Sequence, residues 1–474
     1  MAAEQTFSRL TLTAMVVGSM VGAGIFSLPA RFGGATGPFG AIIAWLIAGG
    51  GMLMLAFVFQ SLAVRKPELD AGIYAYARAG FGNYLGFAAA FGFWAGTCLG
   101  NTTYFVLIKS TLGAIVPMFG DGNTPSAIFF SSLILWSVHF MILRGIKEAA
   151  FINQVVTVAK ILPIFLFIII LVFAFKADLF AASFWGGGAY SAAEIFNQVR
   201  GTMLVTVFVF IGIEGASVYS RFARKREDVG WATVMGFIGV LCLLVMVTLL
   251  PYGVMLRPEL AELRQPSMAG VLRFVVGDWG AWFVSIGLIV SVLGAYLAWS
   301  LLAAEVLYSA SRSELVPKWL GRENRNGVPA TALWLTNILV QIFLISTFFA
   351  QEAFNLALEM TSAMTLIPYV LVAGYALKLA LTRETYAPGS RDLARDLIWA
   401  AIATLYTIFM LVAGGLTHVL LSCILFAPGT LLFIFARREQ GRKVFTTIEI
   451  GLFAIICIGA AIGVYALVTG LITI

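Results

Sequence analysis

Two short stretches put glycine and carboxylate where an apolar helix would otherwise run unbroken. One is VGSMVGAGIFSLP, from Val17 to Pro29, with Gly18, Gly22 and Gly24 inside it. The other is VFVFIGIEGASVYS, in which Gly212 and Gly215 flank Glu214. A glycine costs a helix interior about 1 kcal/mol relative to alanine, so clustered glycines mark places where the helix opens. Opening a helix in hydrocarbon frees N–H and C=O groups, which are tolerated only where they line a cavity or meet a ligand. The N-terminal end of a half-helix attracts an anion, and freed carbonyls attract a cation. A molecule carrying a carboxylate beside an amine needs that pair of partners. Gly18-x-x-x-Gly22 also reads as a small-residue packing motif; the recurrence of the break beside Glu214 favours a site.

Few ionisable groups lie deep in apolar runs: Lys109, Lys160, Glu214, Glu305 and Glu359. Each costs at least about 2.5–3.5 kcal/mol near a bilayer centre, so function is the default hypothesis. Glu214, at the break, has three chemistries open to it: hydration, acceptance of backbone N–H bonds, and proton exchange. The competing reading is that it only satisfies the opened backbone. Lys160, mid-run in NQVVTVAKILP, either bridges helices at the site or belongs to a structural ion pair. Lys109 lies eight residues past Asn101 and reads as a snorkelling side chain; Glu305 and Glu359 read as structural pairs. His139 and His418 are lone histidines without a partner at ligand spacing. Cys98, Cys242, Cys423 and Cys457 lack metal-like spacing and read as packing residues. There is no HExxH, GxSxG or Walker A pattern, so protease and ATP-driven chemistry are excluded, and no enzyme activity, metal or cofactor is expected.

The elements that must position these residues are membrane helices. Of 474 residues 61% are hydrophobic and 11% charged, against about 25% charged in a soluble domain. About 20 apolar residues cross the hydrocarbon core, and 13 candidate spans result: 10–33, 40–62, 84–117, 126–143, 152–175, 202–220, 232–256, 279–310, 330–350, 355–380, 397–415, 419–436 and 447–473. No stretch resembles a cleaved signal peptide. With a cytoplasmic N-terminus, 22 of the 30 Lys and Arg fall inside, among them Arg65, Lys66, Arg78, Lys147, Arg221, Arg224 and Lys225. This asymmetry orients the chain and accounts for the net charge of +7 without a nucleic-acid partner. Whether the chain has 12 or 13 spans turns on the last of these; thirteen place the C-terminus in the periplasm. Five spans separate the two interruptions, and paired interruptions point to a transporter site built from inverted repeats.

At these residues the chain resembles the amino acid–polyamine–organocation superfamily, in its basic amino acid/polyamine antiporter branch, near the bacterial arginine/ornithine antiporters. The resemblance rests on GSMVGAGIFSLP, SLAVRKPELDAGIYAYARAGFG, GNTTYF, FIGIEGASV, VLGAYLAWSLLAAEV and NRNGVP. It implies an all-α integral membrane protein with a LeuT-like 5+5 inverted repeat. Helices 1 and 6 are broken, the repeats cover 10–175 and 202–380, and about three further helices occupy 397–474. It implies exchange without ATP across a bacterial inner membrane, and it allows a homodimer. Carried over residue by residue, backbone at Gly22, Ala23 and Gly24 holds the substrate carboxylate, and carbonyls near Met20, Phe208 and Ile211 take the α-amine. Asn101, with Phe93 and Tyr104, faces the distal cationic end, and Trp299 covers the side chain, where cation–π attraction is worth about 0.5–2 kcal/mol. Glu214 matches a glutamate linked to proton sensing, and Lys160 a lysine that stands where other members hold Na⁺.

Three departures bear on the pocket. Many relatives have serine at Ala23, the antiporters usually have a tryptophan gate at Phe208, and the subgroup tends to tyrosine and tryptophan at Phe93 and Cys98. Phenylalanine keeps a cation–π face and loses the polar handle. Histidine/histamine and arginine/agmatine exchange therefore stand beside arginine/ornithine exchange as expected pairs. The expected mechanism is alternating access, with spans 1, 2, 6 and 7 rocking against spans 3, 4, 8 and 9. A proton-coupled permease and a non-transporting amino acid sensor are the alternatives; a channel lacks a ring of pore charges.

Overall fold

The computed structural model describes residues 9–69, 73–145, 149–188, 190–214, 226–350 and 352–472. Gly215 and the rest of span 6 to residue 220, Lys147, Arg221, Arg224, Lys225, residues 70–72 and residues 473–474 lie outside the described residues. The helices are α1 (Arg9–Met20), α2 (Leu28–Ala35), α3 (Pro38–Arg65), α4 (Ile73–Phe81), α5 (Asn83–Gly113), α6 (Pro125–Leu143), α7 (Ala149–Ala174), α8 (Ala177–Ala182) and α9 (Ala192–Phe210). They continue as α10 (Arg226–Leu249), α11 (Arg257–Ala261), α12 (Ser267–Val276), α13 (Asp278–Arg312), α14 (Ala330–Ser346), α15 (Ala353–Thr382), α16 (Arg391–Ala413), α17 (Gly415–Glu439) and α18 (Thr447–Val468). Each of the 13 expected spans carries helix. Among the described residues nine helices are long and apolar enough to cross a membrane, including α18. The helices of spans 1, 3, 5 and 6 are not among the nine: α1 and α9 stop at breaks, α5 carries Asn101 and several threonines, and of α7 the stretch Lys160–Ala174 counts as a shorter apolar helix.

The described chain forms two compact units, Met1–Val64 with Phe151–Ala295 and Arg65–Ala150 with Tyr296–Ile474. The first unit contains both breaks. Behind them an aromatic column locks four helices together. Phe32 of α2 stacks on Trp45 of α3 at 5.2 Å, Trp45 meets Phe210 of α9 edge-on at 6.0 Å, and Phe210 stacks on Phe237 of α10 at 5.1 Å. Such ring pairs add about 0.5–1.5 kcal/mol each beyond the area they bury. Arg257 closes the end of α2, donating from Nε to the Gly33 carbonyl (3.0 Å) and from Nη2 to that of Gly34 (3.3 Å). A cation on the last carbonyls of a helix is favourably placed, which explains an arginine outside the basic face.

The second unit is built on a seam. Gly92, Gly96 and Gly100 of α5 recur every fourth residue and so share one face. Cβ atoms added to them would come 3.0 Å from the Met364 carbonyl, 3.0 Å from Thr365 Oγ1 and 3.4 Å from Thr361 Cγ2, all on α15. Here small residues let two helices approach closely. Elsewhere in the unit, Glu359 and His418 pair at 2.9 Å, as the structural reading expects, and the second ring nitrogen of His418 meets the Gly414 carbonyl at 2.7 Å. Glu305 is exposed and accepts from Ser309. Lys109 does not snorkel: it is 3% exposed, with its ammonium over the rings of Phe119 (5.1 Å) and Phe130 (5.7 Å). Cation–π contact offsets part of its burial.

Candidate functional site

The first unit shows how the breaks are made. α1 ends at Met20, and Gly22 is extended at φ −114°, ψ −161°. The chain then makes a five-residue 3₁₀ turn, Ala23–Ser27, before α2 begins. The first amides of a helical turn have no acceptor within it, so Ala23 and Gly24 present N–H groups. Both are buried, as is Met20. Gly24 has a packing reason as well: an alanine Cβ there would lie 2.7 Å from Phe208 Cδ1 and 2.8 Å from Val209 Cγ1. The Phe208 side chain thus rests against the span 1 break.

The second break follows Phe210. Ile211 leaves the helical region at φ −58°, ψ 130°, and Gly212 takes φ +110°, a conformation that suits only glycine. Its Cβ would also sit 2.4 Å from the Ser19 carbonyl oxygen. The breaks therefore cross in contact, backbone against backbone. The Ser19 hydroxyl is shared between the Val16 carbonyl (2.8 Å) and the Gly212 carbonyl (3.0 Å). Glu214, 7% exposed, turns back so that Oε2 accepts the Gly212 N–H at 3.1 Å. That bond meets the expectation that Glu214 satisfies opened backbone. The Phe208 carbonyl, expected to take an amine, also accepts the Ile211 N–H at 3.3 Å; a carbonyl has a second lone pair for a ligand.

Lys160 joins this cluster. It is 5% exposed, and Nζ donates to the carbonyl of Gly18. Gly18 is among the last four residues of α1, whose carbonyls lack intrahelical partners. The ammonium therefore sits on a helix C-terminus, where positive charge is favoured. Its recorded partner among the described residues is a backbone carbonyl rather than the carboxylate of an ion pair.

The second unit holds the other expected residues. Phe93, Asn101 and Tyr104 lie on α5 and are 6%, 0% and 7% exposed. Asn101 donates from Nδ2 to Ser300 Oγ at 3.3 Å, while its Oδ1 is buried without a hydrogen-bond partner among the described residues. Trp299, half-buried, immediately precedes Ser300 on α13. Cys98 is a buried packing residue with Sγ 3.9 Å from the Thr336 carbonyl, and Trp94 donates to Thr336 Oγ1 at 2.9 Å.

Sequence reasoning missed Ser19 and Ser300. Each is a small polar residue inside an apolar run, and that was the available signal. It is weak, because a serine or threonine satisfies itself on its own helix as Thr97 does on the Phe93 carbonyl (2.8 Å).

With this geometry in view, three comparisons bear on the chain. A family model described as amino acid permease matches residues 7–419. The arginine/ornithine antiporter of Pseudomonas aeruginosa is 53% identical over 468 residues, covering 98% of this chain and 97% of its own. The L-lysine transport protein of Corynebacterium glutamicum is 42% identical, covering 99% and 96%. Among solved structures, MhsT in complex with L-phenylalanine matches with a TM-score of 0.58 at 15% identity, over 87% of this chain and all of that one. That last likeness is one of fold, and the fold is LeuT-like.

Proposed function

The chain belongs to the amino acid permease family, and on that premise we propose that it exchanges arginine for ornithine across a bacterial inner membrane. It is a multi-pass membrane transporter and not an enzyme. The observation that carries the proposal is the crossing of the two breaks at Ser19 and Gly212, which gathers Met20, Gly22, Ala23, Gly24, Phe208 and Ile211 in one unit. Amides of Ala23 and Gly24 take the substrate carboxylate. Carbonyls of Met20, Phe208 and Ile211 take its α-amine. Ala23 offers no hydroxyl, so backbone alone serves here, and backbone accepts any α-amino acid.

The side chain is chosen by other residues. Asn101 Oδ1 is a buried acceptor suited to a guanidinium or ammonium. Phe93, Tyr104, Trp299 and Phe208 supply aromatic faces. Lys160 supplies a fixed positive charge at the end of α1 in place of a bound cation, and Glu214 exchanges a proton at the other break. In alternating access, spans 1, 2, 6 and 7 move as one body and spans 3, 4, 8 and 9 as another. The N-terminus is cytoplasmic, thirteen spans put the C-terminus in the periplasm, and the repeats run over 10–175 and 202–380. A homodimer is part of the same proposal.

Counterflow in liposomes tests it. Labelled arginine is expected to enter only vesicles loaded with arginine or ornithine. Equal uptake into empty vesicles overturns exchange and leaves a permease. Agmatine, lysine, histidine and histamine as internal substrates rank the competing pairs.

A further inference from the structure

His418 makes two contacts that a neutral ring and an ionised carboxylate do not make together. α16 and α17 are joined at Gly414, and Gly415 takes φ +81°. This tight connection sets His418 on the first turn of α17, with ring Nδ1 2.7 Å from the Gly414 carbonyl. Nε2, on the other side of the ring, lies 2.9 Å from Glu359 Oε2 on α15.

A carbonyl oxygen only accepts, so Nδ1 carries a proton. The second contact needs one more. An ionised carboxylate also only accepts, and a neutral ring with its proton on Nδ1 offers it a bare lone pair. Either Nε2 is protonated too, giving an imidazolium beside a carboxylate, or the carboxyl keeps the proton and donates it. In both forms the pair holds one proton between Nε2 and Oε2.

Protons have access to this pair. The His418 and Glu359 side chains are 15% and 24% exposed. They stand on the first turn of α17 and the second turn of α15, which are periplasmic ends in the orientation proposed above. Helices α5, α15, α16 and α18 pack against α17. In the same halves of these helices the other titratable side chains are Tyr104 and Lys109 on α5, Tyr406 on α16, Cys423 on α17 itself and Tyr465 on α18. Lys109 is the basic one, and it is held under Phe119 and Phe130. Glu352, which precedes α15, accepts from Asn355.

The turn of α15 held by this proton also supports the recognition helix. Thr361, two residues past Glu359, places Cγ2 3.4 Å from a Cβ built on Gly100 of α5, and Gly100 precedes Asn101. With the proton in place, a hydrogen bond fastens α15 to α17. Without it, a lone pair opposes a carboxylate and the fastening is lost.

We propose that Glu359 and His418 form a proton-binding site at the periplasmic face, whose occupancy fastens α15 to α17 and raises the affinity for substrate arriving from outside. The proton comes from the periplasm, adds to the pair and returns there as external pH rises; no other bond is made or broken. The site rests on the two contacts of His418. Its effect on arginine rests on the reading of Asn101 as the group that meets the substrate's distal end.

Histidine ¹⁵N spectra of the full-length protein without substrate test the site directly. The chain has two histidines, and His418→Gln assigns their signals. Over about pH 5–8, the range in which an imidazole ordinarily changes charge, the Nε2 signal of His418 is expected to change. Nδ1 is expected to stay protonated throughout, and the change at Nε2 to be displaced in Glu359→Gln. A constant Nε2 signal, a neutral ring protonated on Nε2, or a titration that Glu359→Gln leaves untouched overturns the site. Counterflow at varied external pH, with the interior buffered, tests the consequence. The external KM for arginine is expected to rise about fivefold over the same range, at the lower end of couplings between two sites. Glu359→Gln gives the ring an amide that donates to a bare Nε2 and accepts from a protonated one, so it is expected to keep the low-pH KM throughout. Glu359→Ala is expected to show the high-pH KM throughout. A wild-type KM independent of external pH, or the same pH step in all three proteins, overturns the proposal. A wild type that exchanges no arginine counts against the function proposed above, and the substrate-free spectra still decide the site.

Discussion

Glycine does opposite work in the two units. In the first, Gly22 and Gly212 end helices: one is extended, the other takes φ +110°, and the backbone around them opens. In the second, Gly92, Gly96 and Gly100 sit inside an unbroken helix of 31 residues and bring α15 close to it. Gly18 and Gly22 read as the same motif as the α5 glycines, small residues four apart in an apolar run. What separates them is the group across the contact. The α5 glycines face the side of α15, which runs unbroken for 30 residues although Pro368 takes the helical amide away from the Met364 carbonyl opposite Gly92. Gly212 faces the Ser19 carbonyl at the end of α1, where hydrogen bonds are already lost. The proposed recognition, by backbone in one unit and by side chains in the other, uses this difference. Open backbone accepts any amino acid, whereas side chains on a continuous helix keep fixed spacing and discriminate.

Substitutions test the contrast, beginning with the largest expected effect. Gly212→Ala forces a side chain into positive φ and sets its Cβ 2.4 Å from backbone that has nowhere to move. A destabilisation above about 2 kcal/mol and loss of exchange are expected in thermal melts and counterflow; wild-type behaviour in both would show that the crossing does not need glycine. Gly24→Ala meets the side chain of Phe208 at 2.7 Å instead. Overpacking of this kind costs about 1–3 kcal/mol. Because a ring can be trimmed, the double variant with Phe208→Leu should recover part of the loss; no coupling between the two sites would mean the contact is unimportant.

Glu214→Gln keeps an oxygen for the Gly212 N–H but removes the charge. Its melting temperature should stay near that of the wild type, while exchange weakens or its pH dependence changes. Unchanged rates at every pH would leave Glu214 a structural cap. Gly96→Ala should have the smallest effect on exchange. Its Cβ would lie 3.0 Å from Thr365 Oγ1, an overpacking cost of about 1–3 kcal/mol offset by roughly 1 kcal/mol of helix propensity. A modest loss of stability with unaltered substrate preference is expected. A changed preference would bring the seam into recognition and blur the comparison.

Much of this was legible beforehand. Helix stands on each expected span because apolar length is a local property, read residue by residue. The GAG and GIEG breaks were legible because glycine and a carboxylate are costly in hydrocarbon wherever they occur. One assignment made on local grounds changed, and one left open was narrowed. Lys109, eight residues past Asn101, is held under Phe119 and Phe130 instead of reaching water, since the rings come from elements that follow α5. Lys160 had an ion pair as one reading and meets a carbonyl instead. Nothing local to Lys160 indicates that the end of α1 lies beside it.

The sequence by itself determined the membrane class, the spans, the family resemblance, and the two places where a spanning helix breaks. These follow from composition and from the fixed cost of particular residues in an apolar helix. Only the tertiary structure decided which groups meet. Ser19 reaches Gly212 across 193 residues, Lys160 reaches Gly18 across 142, and Asn101 reaches Ser300 across 199. Hydrogen bonds are short and directional. Partners so far apart in the chain are therefore set by how whole helices pack, which no pattern within one helix contains.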